Sequence, residues 1–196
     1  MRIVINIVLL LATVGLVYLL YSSIQEPIQF KKERTRREEA VIARLMQIRT
    51  AQEAFRDITG GYAPTFDTLT EVLTKGKFKI ISVIGDPDDP NFTGKITYDT
   101  IFRPALDSIK ALGIDLDVIR YIPFSEKKDV FDLAADTLTY QGTLVQVVEC
   151  KAQRTTFMGR FGDISYAKYD KAYDPTTYLK FGNMTQPNLS GNWESR

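Results

Sequence analysis

The densest set of hard oxygen ligands in the chain is the heptapeptide GDPDDPN, residues 85–91, which holds Asp86, Asp88 and Asp89 beside Pro87 and Pro90. Oxygen-rich loops bind Ca²⁺, but the ion takes six to eight ligands, and a full calcium loop spreads them over about twelve positions. Three acids so close together do not encircle an ion. The segment therefore reads as a solvated turn, with these three aspartates the only candidate calcium ligands. Asp115 and Asp117 would need a cleft to act as a catalytic carboxylate pair, and nothing in the sequence demands one. The chain has no histidine, which removes the commonest general base and metal ligand and excludes Ser-His-Asp and Cys-His nucleophiles. Its single cysteine, Cys150, makes no intrachain disulfide and no cysteine-rich zinc site. It is expected to be a small buried apolar group at a strand end. In GRFGDISY, residues 159–166, two glycines flank Phe161 without the lysine spacing of a phosphate loop, so a plain loop is expected. No catalytic residue and no cofactor follow from these patterns; an enzyme is the least favoured class.

The elements that would carry a function are more legible. With 196 residues, 44% hydrophobic and 25% charged, the chain has globular composition. One of its 25 basic residues, Arg2, precedes an apolar run, which leaves 24 basic against 24 acidic residues for the rest. That balance supplies no electrostatic attraction to nucleic acid. Residues 3–21, IVINIVLLLATVGLVYLLY, contain no charge. At ~1.5 Å per residue they match the ~30 Å hydrocarbon core of a bilayer. Tyr18 and Tyr21 suit the interfacial aromatic belt. No small-x-small cleavage site follows, so an uncleaved anchor over residues 1–25 is expected. Asn6, Ala12 and Gly15 are the small or polar positions through which such a helix would pack against another in lipid.

Pro27 predicts a kink or break after the anchor. A helical pattern then resumes over residues 26–60 as a stalk. Its apolar stripe, Val41, Leu45, Ile48, Ala51, Phe55 and Ile58, recurs every three or four positions. Residues 31–39 hold eight charges and no large apolar group, so they are expected to be solvated near the lipid headgroups, with the stalk holding a domain off the bilayer. The stripe is too short for a convincing coiled coil and is expected to pack on the chain's own domain.

Gly60 and Gly61 stop the helix, Tyr62 turns back onto its last turn near Phe55 or Ile58, Pro64 blocks resumption, and Thr65 or Asp67 caps a second helix bearing Phe66, Leu69, Val72 and Leu73. This order of apolar run, long helix, AQEAF, Gly-Gly-Tyr-x-Pro and short leucine-bearing helix resembles the type IV pilins and type II secretion pseudopilins. The match is detailed over residues 51–69 and covers residues 3–73 in layout. The resemblance implies an antiparallel sheet after the second helix, and a place in an envelope machine. The sequence departs from the family in lacking a basic prepilin leader ending in glycine and a glutamate at the fifth position after it; it has no acid before Glu26. A standard pilin's processing and polymerisation are therefore not expected. The whole chain, to its closing SGNWE, is also similar to an uncharacterised group of single-pass envelope proteins from Bacteroidetes-type bacteria. The layout further resembles the bitopic assembly-platform proteins of the same machines.

Beyond Lys77 the pattern turns to strands. FKIISVIG and GKITYDTIF read as two, a short helix falls near residues 104–112, and strands at about 130–140 and 143–151 meet at Gln141-Gly142. A head over residues 61–165 and an irregular tail over 166–196, with Trp193 pinning it, complete the organisation. The expected class is α+β: a transmembrane helix, an amphipathic stalk and a pilin-like antiparallel head. The expected role is a scaffold or assembly subunit in the inner membrane, with lipid and protein partners in an oligomeric complex and the head in the periplasm. Lys31, Lys32, Arg34, Arg36 and Arg37 argue for the opposite orientation by the positive-inside rule. The alternative is a binding module that holds an envelope ligand or protein on its sheet.

Overall fold

In the computed structural model, which describes residues 1–84 and 97–194, one helix carries both the apolar run and the amphipathic stripe. Helix α1 (Arg2–Thr59) has 58 residues and continues unbroken through Pro27. The expected break is absent. Proline in a helix interior costs about 3 kcal/mol, and close tertiary contacts at Glu26 and Phe30 hold the backbone helical on both sides of it. The helix ends where glycine was expected to end it. Gly60 sits at φ 85°, and its N–H donates to the Arg56 carbonyl at 2.7 Å.

Helix α2 (Phe66–Lys75) starts at Thr65, whose hydroxyl accepts from the Thr68 N–H at 3.3 Å. Strands β1 (Lys77–Ile84) and β2 (Thr97–Pro104) then pair antiparallel, and α3 (Ala105–Ala111) follows. Strands β3 (Asp132–Tyr140) and β4 (Thr143–Gln153) form a tight hairpin. Its two-residue turn, Gln141 at φ 50° and Gly142 at φ 81°, has the positive angles that suit the twist of the flanking strands. Helix α4 (Arg154–Met158) and two 3₁₀ segments, Gly159–Gly162 and Ile164–Tyr169, occupy the stretch expected to be a loop. Strand β5 (Tyr178–Gly182) closes a three-stranded antiparallel sheet in the order β3-β4-β5.

The head thus contains two sheets among the described residues, and the tail, otherwise turns and coil as expected, supplies one strand to the second of them. Tyr178–Gly182 lacks a long β-branched run, but it pairs from Glu149↔Gly182 to Gln153↔Tyr178 and buries Leu179 and Phe181. Trp193 packs against the same core, and Gly191 bridges to Phe181.

The stripe residues Val41, Leu45, Ile48, Ala51 and Phe55 are buried with Leu69, Leu73, Val148, Cys150, Phe157 and Phe181 in one core, with Ile58 half-buried beside it. Residues 26–60 are therefore no free stalk. They form the spine of the head and share its core, so the expected boundary between stalk and head is absent. The expected solvation of residues 31–39 holds for Lys31, Lys32, Thr35, Arg36 and Glu39, which are exposed, and fails on the face turned to the head. Glu38 is buried, and the buried face runs Phe30, Arg34, Glu38, Val41, Leu45 at helical spacing.

Gly182 sits at φ 78°, and a Cβ there would collide with the Val148 carbonyl of the neighbouring strand. Gly182→Ala is expected to destabilise the head by about 2 kcal/mol or more through left-handed strain and loss of the β4–β5 pairing. Thermal unfolding of the purified chain in mild detergent should report a midpoint lower by about 4 °C or more.

Candidate functional site

The most heavily built polar region lies where α1 passes from its exposed apolar part into the head. Phe30 is the hinge pin. It is fully buried, stacked on Tyr166 at 5.6 Å and edge-on to Tyr173 at 5.0 Å and Phe161 at 5.8 Å, with Tyr169 tilted at 6.1 Å. Edge-on and offset pairs of this kind add about 0.5–1.5 kcal/mol each beyond area burial. One turn on, Arg34 pairs with Glu38 at 3.2 Å and with Asp170, while its guanidinium lies 5.1 Å from the Tyr173 ring centre. Glu38, 8% exposed, also accepts from Arg154 Nε at 2.9 Å. Arg154, 3% exposed, reaches the Thr177 hydroxyl as well, and its Nη2 has no hydrogen-bond partner among the described residues. Arg37 donates to the Phe157 carbonyl at 2.7 Å, Tyr169 donates to the Glu26 carboxylate, and Arg160 donates to Gln29 at 3.1 Å.

These contacts tie α1 from Glu26 to Glu38 to residues 154–177. Burial pushes the Tyr173 hydroxyl up to about 12, so it stays protonated and donates to the Phe161 carbonyl at 2.7 Å. The Asp170 carboxyl is held below its usual range by the Ala172 N–H and by Arg34. On the sheet, burial alone would raise Glu149, but Lys180 at 2.6 Å and Lys151 at 3.2 Å outweigh it and leave the carboxyl lowered. The arrangement is a mechanical coupling: aromatic at its base, ionic above it, and continuous with the apolar core.

The helix-exit turn is the second built feature. Gln52 is fully buried; its Nε2 donates to the Ala63 carbonyl at 3.0 Å and its Oε1 accepts from the Ala63 N–H at 2.8 Å. One side chain thus replaces the strand partner that this bit of backbone lacks. Gly61 lies beside the Gln146 side chain, and Pro64 is exposed. Tyr62 packs on the core, with its hydroxyl accepting from Arg56 at 2.7 Å and its ring 5.5 Å from that guanidinium.

The remaining expected sites are scattered. Asp86, Asp88 and Asp89 lie outside the described residues. Asn6, Ala12 and Gly15 are exposed on α1. At 3.6 residues per turn Asn6 stands about 120° from Ala12 and about 180° from Gly15, so the three do not form one packing face. Asp115 and Asp117 line an open groove of about 560 Å³ between α2 and α3, beside Thr70 and Lys110. Asp115 Oδ1 accepts the Asp117 N–H at 3.0 Å, a turn-stabilising use of that carboxylate. Cys150 is buried and free, and burial pushes its thiol well above the usual range, which leaves it a poor nucleophile. Among the described residues no three His, Cys, Asp or Glu side chains converge as metal ligands.

Sequence reasoning missed Phe30, Arg34, Glu38 and Arg154. For the three on α1 the signal was present: positions 30, 34, 38, 41 and 45 share the helical phase of the stripe, but two charged positions within it, Arg34 and Glu38, masked the continuation. Comparison with protein-family models, curated proteins and solved structures gives no match.

Removing one partner of a buried ion pair strands the other charge and costs about 3–5 kcal/mol, whereas replacing both by apolar groups is far milder. Glu38 keeps Arg34 when Arg154 is lost, so Arg154→Leu is expected to lower stability by about 2 kcal/mol, the loss of one charged hydrogen bond, and Arg154→Leu with Glu38→Leu by less. Denaturant titration of both variants reads the difference. For Asp170 the folded state lowers the pKa below the ordinary 3.8, so its contribution is present above that value and is lost as pH falls through the lowered folded value. Acid unfolding of Asp170→Asn should accordingly be shallower below pH ~4 than that of the parent chain, while the two slopes coincide near neutrality.

Proposed function

We propose that this chain is a single-pass, membrane-anchored structural subunit of an envelope assembly, built on the plan of the type IV pilins and pseudopilins. The observation that carries the reading is the two-solvent character of α1. Its first part is apolar, unburied and long enough to cross a bilayer, and the same unbroken helix becomes the core of a water-soluble head. A helix with exposed aliphatic side chains all round meets a soluble core's needs nowhere and a bilayer's needs everywhere.

The head rests at the bilayer and is not held away from it. Tyr21 ends the apolar run, and Glu26, the first charge after it and already bonded to Tyr169, stands only about 7.5 Å farther along the helix axis. A crevice of about 360 Å³ lined by Tyr18, Tyr21, Gln25, Arg160 and Tyr166 falls at headgroup height. Lys31 stands near Asp170, and Lys168 near Tyr169 and Glu26, at the base of the head. With the anchor locked to the head through Phe30 and Glu38, force or position is transmitted without chemistry. Lipid is the first partner, neighbouring subunits the second; no catalytic role is assigned.

The reading places the anchor in the inner membrane and the head in the periplasm. Carbonate washing should leave the chain in the membrane pellet, and protease added to spheroplasts should degrade the head. Recovery in the soluble fraction sinks the anchor. Protection of the head with retention in the pellet leaves the anchor standing and moves the head to the cytoplasm, as the basic residues at 31–37 would have it. A ligand-binding module is the second reading, favoured by the groove between α2 and α3.

A further inference from the structure

Strands β1 and β2 form a two-stranded ribbon that no other described strand joins. A two-stranded ribbon by itself is marginally stable in water. This one also exposes its large apolar groups: Ile80, Ile81, Ile101 and Phe102 are between 43% and 61% exposed. Residues 99–104 of β2 are all exposed, and among the described residues no strand pairs with its outer edge, which leaves that edge available to a further strand. The ribbon begins beside the C-terminal end of α1, where Gly76 abuts Ile58, and so lies at the opposite end of the head from the apolar helix.

The residues on that edge are self-complementary. Laid antiparallel against a second copy of itself about Ile101, β2 sets Ile101 opposite Ile101 of the copy and Thr100 opposite Phe102. Asp99 falls opposite Arg103, and by symmetry the same pairs form on the other side. We propose that two copies of this chain associate through the β2 edges in this register, making one four-stranded antiparallel sheet with a two-fold axis at Ile101. Side chains alternate across a strand, and Ile80 is the cross-strand neighbour of Ile101 within the ribbon. One face of the joined sheet therefore carries a row of four isoleucines, two Ile80 and two Ile101, flanked on either side by an Asp99–Arg103 pair. Opposite charges directly across a strand pair stabilise, and like charges destabilise. A shift by one residue loses both ionic pairs and separates the isoleucines. The β1 edge offers no such match, since Lys77 and Lys79 have no acid on their own strand to meet. An isologous contact of this kind closes on itself and stops at two copies.

The full chain in mild detergent provides the test. Ile101→Cys is expected to form an intermolecular disulfide under mild oxidation, because the two thiols face each other across the axis. Ile80→Cys, separated by both β2 strands, is expected to form none. Asp99→Arg should weaken the dimer, read by light scattering or sedimentation, by about tenfold. Asp99→Arg with Arg103→Asp should restore it to near the parent value. A monomeric parent chain overturns the proposal, as does equal crosslinking at positions 80 and 101. Association unaffected by Asp99→Arg also overturns it, because contact through the apolar helix would behave in that way.

Discussion

The buried pairing of Glu38 with Arg154 is the constraint on which the rest of the structure turns. Two charges out of water are tolerable only when each meets the other and the remaining polar atoms find partners. Arg34 meets Glu38 from one turn away on α1, Thr177 meets Arg154, and Asp170 in turn meets Arg34. The pair does not tighten the core as an apolar pair of equal volume would. What it does is fix register: α1 can neither slide nor rotate against residues 154–177 without stranding a charge. An apolar stripe alone would tolerate a shift of one turn.

That fixed register has consequences at both ends of the helix. Below it, Phe30 is seated among Phe161, Tyr166, Tyr169 and Tyr173, and this aromatic packing holds the helix straight enough to pass Pro27 without a break. Above it, Val41 to Phe55 line the sheet, and Gln52 holds the backbone of the exit turn by two hydrogen bonds to Ala63. One unbroken helix thus runs from the apolar segment to the far end of the head. The rod has two environments but no joint between them.

The head divides its strands unequally. The β3-β4-β5 sheet is covered by α1 and contributes Val148, Cys150, Ala152, Leu179 and Phe181 to the core. The β1–β2 ribbon contributes little beyond the half-buried Phe78 and leaves most of its described surface to solvent. A sheet covered on one face is stable within a single chain. A ribbon that leaves Ile80, Ile81, Ile101 and Phe102 exposed has the features of a surface suited to a neighbour, which is why its side chains carry information that its backbone does not.

Local chemistry alone determined a good deal. The charge-free run, the stop at Gly60, the Thr65 cap, the Gln141-Gly142 hairpin and the burial of Cys150 each follow from dihedral preference or short-range periodicity, and each is legible in a few neighbouring residues. The α+β class follows from the order of those elements. Tertiary structure decided what depends on partners beyond the reach of local periodicity, from 23 positions apart for Arg154–Thr177 to 136 for Arg34–Asp170. Arg34, Glu38 and Arg154 look like solvated charges until Asp170 and Thr177 are brought beside them. Tyr178–Gly182 looks irregular until the β4 edge offers it hydrogen bonds, and Pro27 looks like a break until Phe30 is locked in place. A charged side chain has no intrinsic inside or outside. The free energy of burying it is set by what meets it there, and that is a property of the folded chain alone.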